Sequence, residues 1–131
     1  MTVGQGTRVD YTITFDEELN AVVLLTRGPM QVDQFAKMIV NITAALRQEE
    51  TANILADHRE SLSTELSTQN VKELSQLAQG LSEVLNGKRF AVVMRAKVDY
   101  GLGRMWQILT EDDVPFEIMI FRDESKARAW L

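Results

Sequence analysis

The sequence predicts an α/β layer fold: a mixed sheet of about five strands, antiparallel only at an N-terminal hairpin, with about four helices. Three observations carry this. Two strand-like patterns open the chain with only a turn between them. After them, apolar segments of strand length alternate with stretches of helical period. Each strand–helix–strand unit so formed requires a crossover, and crossovers of this kind join parallel strands with a right-handed connection.

The elements follow in order. Val9, Tyr11, Ile13 and Phe15 alternate with Asp10, Thr12 and Thr14, the period-2 pattern of a half-buried strand. Asp16 to Asn20 reads as a turn and Ala21 to Thr26 as the returning strand, after which Gly28-Pro29 breaks the chain. From Asp33 the period changes: Phe35, Ile39, Ile42 and Leu46 fall on one helical face. Asn53 to Asp57, with Ile54, Leu55 and Ala56 apolar on both alternating faces, reads as a central strand covered on both sides.

Ser67 is a good N-cap for a helix bearing Val71, Leu74, Leu77, Leu81 and Leu85, and Gly87 stands where a left-handed C-terminal cap belongs. Phe90 to Met94 is a buried strand, Leu102, Met105, Trp106 and Leu109 mark a helix, and Phe116 to Phe121 is the last strand. Asp123 caps a terminal helix whose inner face is Ala127, Trp130 and Leu131, an anchor that closes the sheet.

The 131 residues read as one domain spanning 1–131, with no repeat, linker or low-complexity segment. With no cysteine, disulfides, thiolate nucleophiles and zinc–cysteine sites are excluded, and a reducing compartment fits. The start, Met1 to Arg8, has no apolar stretch of signal-peptide length. The longest apolar run, Ala21 to Leu25, is far too short to span a bilayer. A cytoplasmic, non-transmembrane protein is expected. A net charge of −5 argues against nucleic acid or an anionic membrane as partner.

No catalytic or metal-binding constellation stands out. Asp57-His58-Arg59-Glu60-Ser61 holds the only histidine, but on a strand Asp57 and His58 point to opposite faces and cannot form a relay. There is no Gly-x-Ser-x-Gly elbow, and one histidine with scattered carboxylates gives no metal-ligand spacing. No cofactor is implied. His58 reads as a hydrogen-bonded strand-end residue.

Location says more than residue type. Ligands of open α/β sheets bind beyond the carboxyl ends of the strands. Two such ends carry Asp57, His58 and Arg59, and Arg95, Lys97 and Arg104. Between Lys88 and Arg104 five basic residues face one acid, a local excess of four positive charges. If the strands are neighbours, Arg59, Arg95, Lys97 and Arg104 converge on a basic mouth suited to an anionic ligand or an acidic partner. Asp99-Tyr-Gly-Leu-Gly-Arg104 opens a helix there, whose free N–H groups favour anions. The plainer alternative is that Gly101 and Gly103 allow close helix packing while the cations are solvated. Met30, Met38, Met94, Met105 and Met119, with Trp106, either fill the core or line an apolar pocket.

The assembled pattern resembles a STAS-like domain of the SpoIIAA-like group, relatives of sporulation anti-sigma-factor antagonists. The resemblance covers nearly the whole chain. It rests on the opening hairpin, Gly28-Pro29, Ile54-Leu-Ala-Asp57, Arg89-Phe-Ala-Val-Val93 and the ending Phe121-Arg-Asp-Glu-Ser-Lys-Ala-Arg-Ala-Trp-Leu131. It implies a nonenzymatic regulatory or protein-interaction domain, with a kinase or an anti-sigma-like regulator as partner. It also implies a phosphoacceptor serine where a helix opens after the central strand: Ser67, with Ser61 as the neighbouring candidate. The family's Asp-Ser-Ser-Gly-Leu run stands here as Glu65-Leu-Ser-Thr-Gln69, without glycine, so a plain helix cap is the competing reading of Ser67. STAS-like folds also resemble Sec14-type lipid carriers, which gives the second reading: a small carrier or sensor for an anionic or lipid-like ligand at the strand ends. A hydrolase or transferase is the third, against which the missing motifs argue. An edge position for the first strand would allow a homodimer.

Overall fold

A computed structural model of the protein describes residues 2–4, 10–95 and 97–131. Its six strands lie in one sheet in chain order: β1 (Thr2–Gly4), β2 (Asp10–Asp16), β3 (Ala21–Pro29), β4 (Asn53–Leu62), β5 (Arg89–Val93) and β6 (Glu117–Phe121). The first three pair antiparallel and the last four parallel. Four α-helices connect or follow them: α1 (Val32–Gln48), α2 (Thr68–Ala78), α3 (Lys97–Thr110) and α4 (Glu124–Trp130).

This order fixes the layers. Parallel neighbours joined in sequence by right-handed crossovers place every connecting helix on the same face. Accordingly α1, α2 and α3 cover one face, where Val22, Leu24, Ile54, Ala56, Phe90, Val92, Ile118 and Ile120 form the larger core with Met38, Ile42 and Leu46 of α1. The other face carries Leu55, Ala91 and Val93, packed by Ala127 and Trp130 of α4. The predicted two-sided burial of the central strand follows from this: Ile54, Leu55 and Ala56 are all at most 1% exposed. Trp130 packs against Phe121 at 5.9 Å between ring centroids, and its backbone carbonyl accepts from the Arg89 guanidinium.

The structure departs from the predicted elements in several places. A three-residue strand, β1, adds to the hairpin, pairing Thr2 with Ile13 and Gly4 with Tyr11, and is too short to show any period in sequence. Over that stretch the strand predicted to begin at Val9 is not the sheet edge; Val9 itself lies outside the described residues. β3 runs through Gly28-Pro29, because the partner strand continues beside it and pairs Pro29 with Leu62. β4 continues past Asp57 to Leu62, since its polar residues there are held by side-chain partners described below. α2 ends at Ala78 and tightens into a 3₁₀ turn over Gln79–Leu81, which keeps Leu81 and Leu85 in the core. Gly87 has the left-handed φ of 74° expected of it, and its N–H donates to the Pro115 carbonyl. Among the described residues no helix is long and apolar enough to cross a membrane.

Candidate functional site

The decisive local feature is a β-bulge in β4. Leu25 pairs with Asp57, but Arg27 pairs with Glu60, so β4 holds one residue more than β3 over this step. A bulge re-aims the side chains that follow it. Before it, Ala56 and His58 face the three-helix layer and Asp57 faces α4. After it the phase is reversed: Ser61 and Ser63 are buried while Glu60 and Leu62 are exposed. As a result both His58 and Ser61 reach one hydroxyl on the neighbouring strand. Thr26 Oγ1 lies 2.7 Å from His58 Nδ1 and 2.5 Å from Ser61 Oγ.

On the opposite face, Asp57 and Arg59 form a bidentate pair, with Arg59 Nη2 2.7 Å from Asp57 Oδ2 and Nε 2.9 Å from Oδ1. Arg59 also donates to Glu124 of α4 at 3.0 Å, and Arg128 joins Glu124 to Asp16 in the hairpin turn. Burial pushes the Asp57 carboxyl up, but the Arg59 hydrogen bonds outweigh it and hold the group below the usual aspartate range. The Arg59 guanidinium is in turn held more firmly protonated by Asp57. This network staples α4 to the sheet.

The predicted basic mouth is therefore split by the sheet. Arg59 is committed to Asp57 and Glu124 on the α4 side. Arg104 belongs to the α3 side, where it donates to Gln107 at 2.6 Å. Arg95, Lys97 and Arg104 are exposed. The expected convergence fails because successive strand residues alternate faces and Arg59 falls on the α4 side. The helix of Asp99 begins two residues earlier than predicted, and the Asp99 side chain is buried, accepting from Ser63. Of the two glycines, Gly103 permits close packing: a Cβ there would meet Ile120 Cγ2 at 3.0 Å. Gly101 faces open space.

Between the sheet and α1, α2 and α3 lies a cavity of about 100 Å³, partly open to solvent. Leu24, Ala56, Phe90 and Val92 line it from the strands, and Met30, His58 and Met94 from their carboxyl ends. Phe35, Met38 and Trp106 line it from the helices, together with Val71, Leu74 and Leu77 of α2. Among the described residues no charged side chain lines it. His58 is half-buried at this wall, and the ring is held edge-on to Phe35 at 5.7 Å and 74°. Loss of hydration disfavours the charged imidazole, lowering its pKa to about 4 despite the opposing pull of Asp57, so the ring is neutral near pH 7. Of the methionines singled out in sequence, Met30, Met38 and Met94 line the cavity, whereas Met119 is 36% exposed on the sheet.

Ser67 caps α2: its Oγ accepts from Asn70 N–H, and Asn70 Oδ1 accepts from Ser67 N–H, completing a capping box. Its side chain is on the exposed surface. Ser61 is 1% exposed and bonded to Thr26, so a kinase would reach it only if the strand end opened. Thr26 is fully buried, which closes its hydroxyl to an incoming electrophile although a histidine stands beside it. Among the described residues no three His, Asp or Glu side chains are grouped to hold a metal ion. Sequence reasoning missed Thr26. Its signal was a hydroxyl on the inward phase of β3, after Val22 and Leu24, where a polar group must find a partner.

No protein-family model matches the sequence, and no curated protein matches it. A solved structure does. It is an uncharacterized protein of the DUF3478 family with a SpoIIAA-like fold from Shewanella loihica PV-4. The two share 18% identity and superpose with a TM-score of 0.63 over 98% of this chain and 99% of that one. The chain has a SpoIIAA-like fold. At this identity the likeness concerns the fold alone. Within the SpoIIAA-like fold, the cavity lies under the helix layer, Ser67 stands at the start of one of its walls, and the Asp57–Arg59–Glu124 network holds the opposite face.

Proposed function

We propose that the protein is a nonenzymatic regulatory domain of STAS-like type that responds to a small apolar ligand held between its sheet and helices. The cavity carries this reading. Protein interiors pack to crystal-like density with few voids larger than a water molecule. A cavity of about 100 Å³ is well beyond the space a single water needs. A molecule that fills it buries this apolar lining and tightens α1, α2 and α3 against the strands. Methionines at Met30, Met38 and Met94 suit a wall that adapts to its occupant. The helix layer then offers a partner protein a surface that depends on occupancy. Native mass spectrometry on protein purified gently from its own cells tests this. A noncovalent small-molecule adduct is expected. A bare chain that also binds no member of a panel of small apolar compounds would contradict it.

A second reading is supported by Ser67. The hydroxyl is exposed at the N-cap of the 11-residue α2, where phosphate would meet the positive end of the helix dipole. Val71 and Leu74 of the same helix line the cavity, so modification and ligand would act on one element. Phosphopeptide mapping across Ser61 to Thr68 tests it: phosphate on Ser67 is expected, and an unmodified segment in cells under varied growth conditions speaks against the switch.

A further inference from the structure

Among the described residues the cavity wall is apolar apart from two side chains that carry a ring nitrogen, His58 and Trp106. They differ in chemistry: the indole can only donate, whereas a neutral imidazole can accept or donate according to tautomer. The imidazole is also built into place. Thr26 Oγ1 occupies Nδ1 at 2.7 Å, Ser61 holds Thr26 at 2.5 Å, and Phe35 fixes the ring plane from the side. With Nδ1 committed, Nε2 is the ring atom left to meet a ligand.

Resting on the reading of the cavity as a ligand site, we propose that its occupant is a small uncharged molecule with an apolar body and one hydrogen-bonding group. That group seats on His58 Nε2. Size sets the body: an apolar cavity of about 150 Å³ holds benzene, so about 100 Å³ with a partly open side suits a single ring or a short branched chain. The lining sets the charge: among the described residues it holds no carboxylate, Lys or Arg, so an ionised group would lose its water without gaining a counter-ion there. The hydroxyl relay sets the single polar contact. Ser61 and Thr26 can turn their protons either way, so Nε2 can serve a hydroxyl donor or a carbonyl acceptor.

The test compares toluene, phenol and benzoate binding at pH 7.5 to the wild-type chain and to His58→Phe, which keeps an aromatic wall but removes the polar atom. Toluene should bind both proteins with affinities within about threefold. Phenol should bind the wild type at least as tightly as toluene and lose roughly tenfold in His58→Phe, where its hydroxyl is buried without a partner. Benzoate should bind neither. Toluene binding with equal phenol affinity in both proteins would overturn the histidine seat and leave the cavity as a ligand site, with Trp106 as the polar contact. Toluene binding to neither protein would overturn the cavity reading itself. If His58→Phe does not fold, the ¹⁵N resonance of Nε2 in the wild type decides. Phenol should shift it and toluene should not; equal responses would refute the proposal.

Discussion

Thr26 and His58 are joined by a 2.7 Å hydrogen bond across the β3–β4 boundary, at the step where β4 carries its extra residue. The bond fixes the ring at the edge of an apolar cavity, and the burial that goes with this position gives the first expectation. Burial lowers the folded-state pKa of His58 to about 4, below the ordinary 6.5. The unfolded chain therefore binds the proton first. The stabilising effect is complete above about pH 6.5 and is lost as pH falls toward 4. The loss runs up to about 1.4 kcal/mol per pH unit and sums to on the order of 3 kcal/mol. Urea midpoints should fall through this window in the wild type and stay flatter in His58→Phe. The depressed carboxyls of Asp16, Asp57 and Asp123 act only at lower pH, near and below 3.8. Parallel pH curves for wild type and variant would rule the effect out.

Gly101 and Gly103 are two residues apart on α3 and should respond with opposite sign. An alanine methyl at 101 meets nothing within 4 Å, so Gly101→Ala should stabilise by up to about 1 kcal/mol through helix propensity. At 103 the methyl meets buried Ile120 at 3.0 Å and Met94 at 3.5 Å, so Gly103→Ala should destabilise by about 1 kcal/mol. Thermal melts of the two variants are sufficient; shifts of the same sign would contradict the packing described.

Arg59→Met should cost about 2 kcal/mol. The charge it abandons, Asp57, is 7% exposed and would be left without its bidentate partner. Arg59 itself is 38% exposed, which keeps the cost below that of a fully buried pair. Adding Asp57→Asn should recover most of the loss. A double-mutant cycle by chemical denaturation measures this, and additive single effects would mean the pair is not coupled.

Ser67→Ala should cost about 1 kcal/mol by removing the acceptor for Asn70 N–H, while Ser67→Asp should stay within a few tenths because aspartate caps equally well. Equal stability of all three proteins would show that the cap contributes nothing.

The layer order was legible because each element announces its own period. The Phe35-Ile39-Ile42-Leu46 face, the two-sided Ile54-Leu55-Ala56 run and the Asp123 cap are local signals, and each stands where the sequence put it. The bulge at His58 was not legible. It depends on register against β3, and a one-residue slip exchanges the faces of everything after it. That single slip explains why Ser61 is buried beside Thr26. Face alternation, read before the bulge, separates Arg59 from Arg104. The cavity was half legible: the methionines were visible in sequence, but which of them share one space is a property of three helices packed together.

The most direct measurement is a toluene titration followed by methyl resonances of ¹³C-methionine-labelled protein. Met30, Met38 and Met94 surround the cavity, while Met119 is exposed away from it and serves as the internal control. Saturable shifts at Met30, Met38 and Met94 with Met119 unmoved are expected of a ligand held between sheet and helices. Unmoved cavity methyls, or shifts that include Met119 to the same extent, would contradict a binding site there.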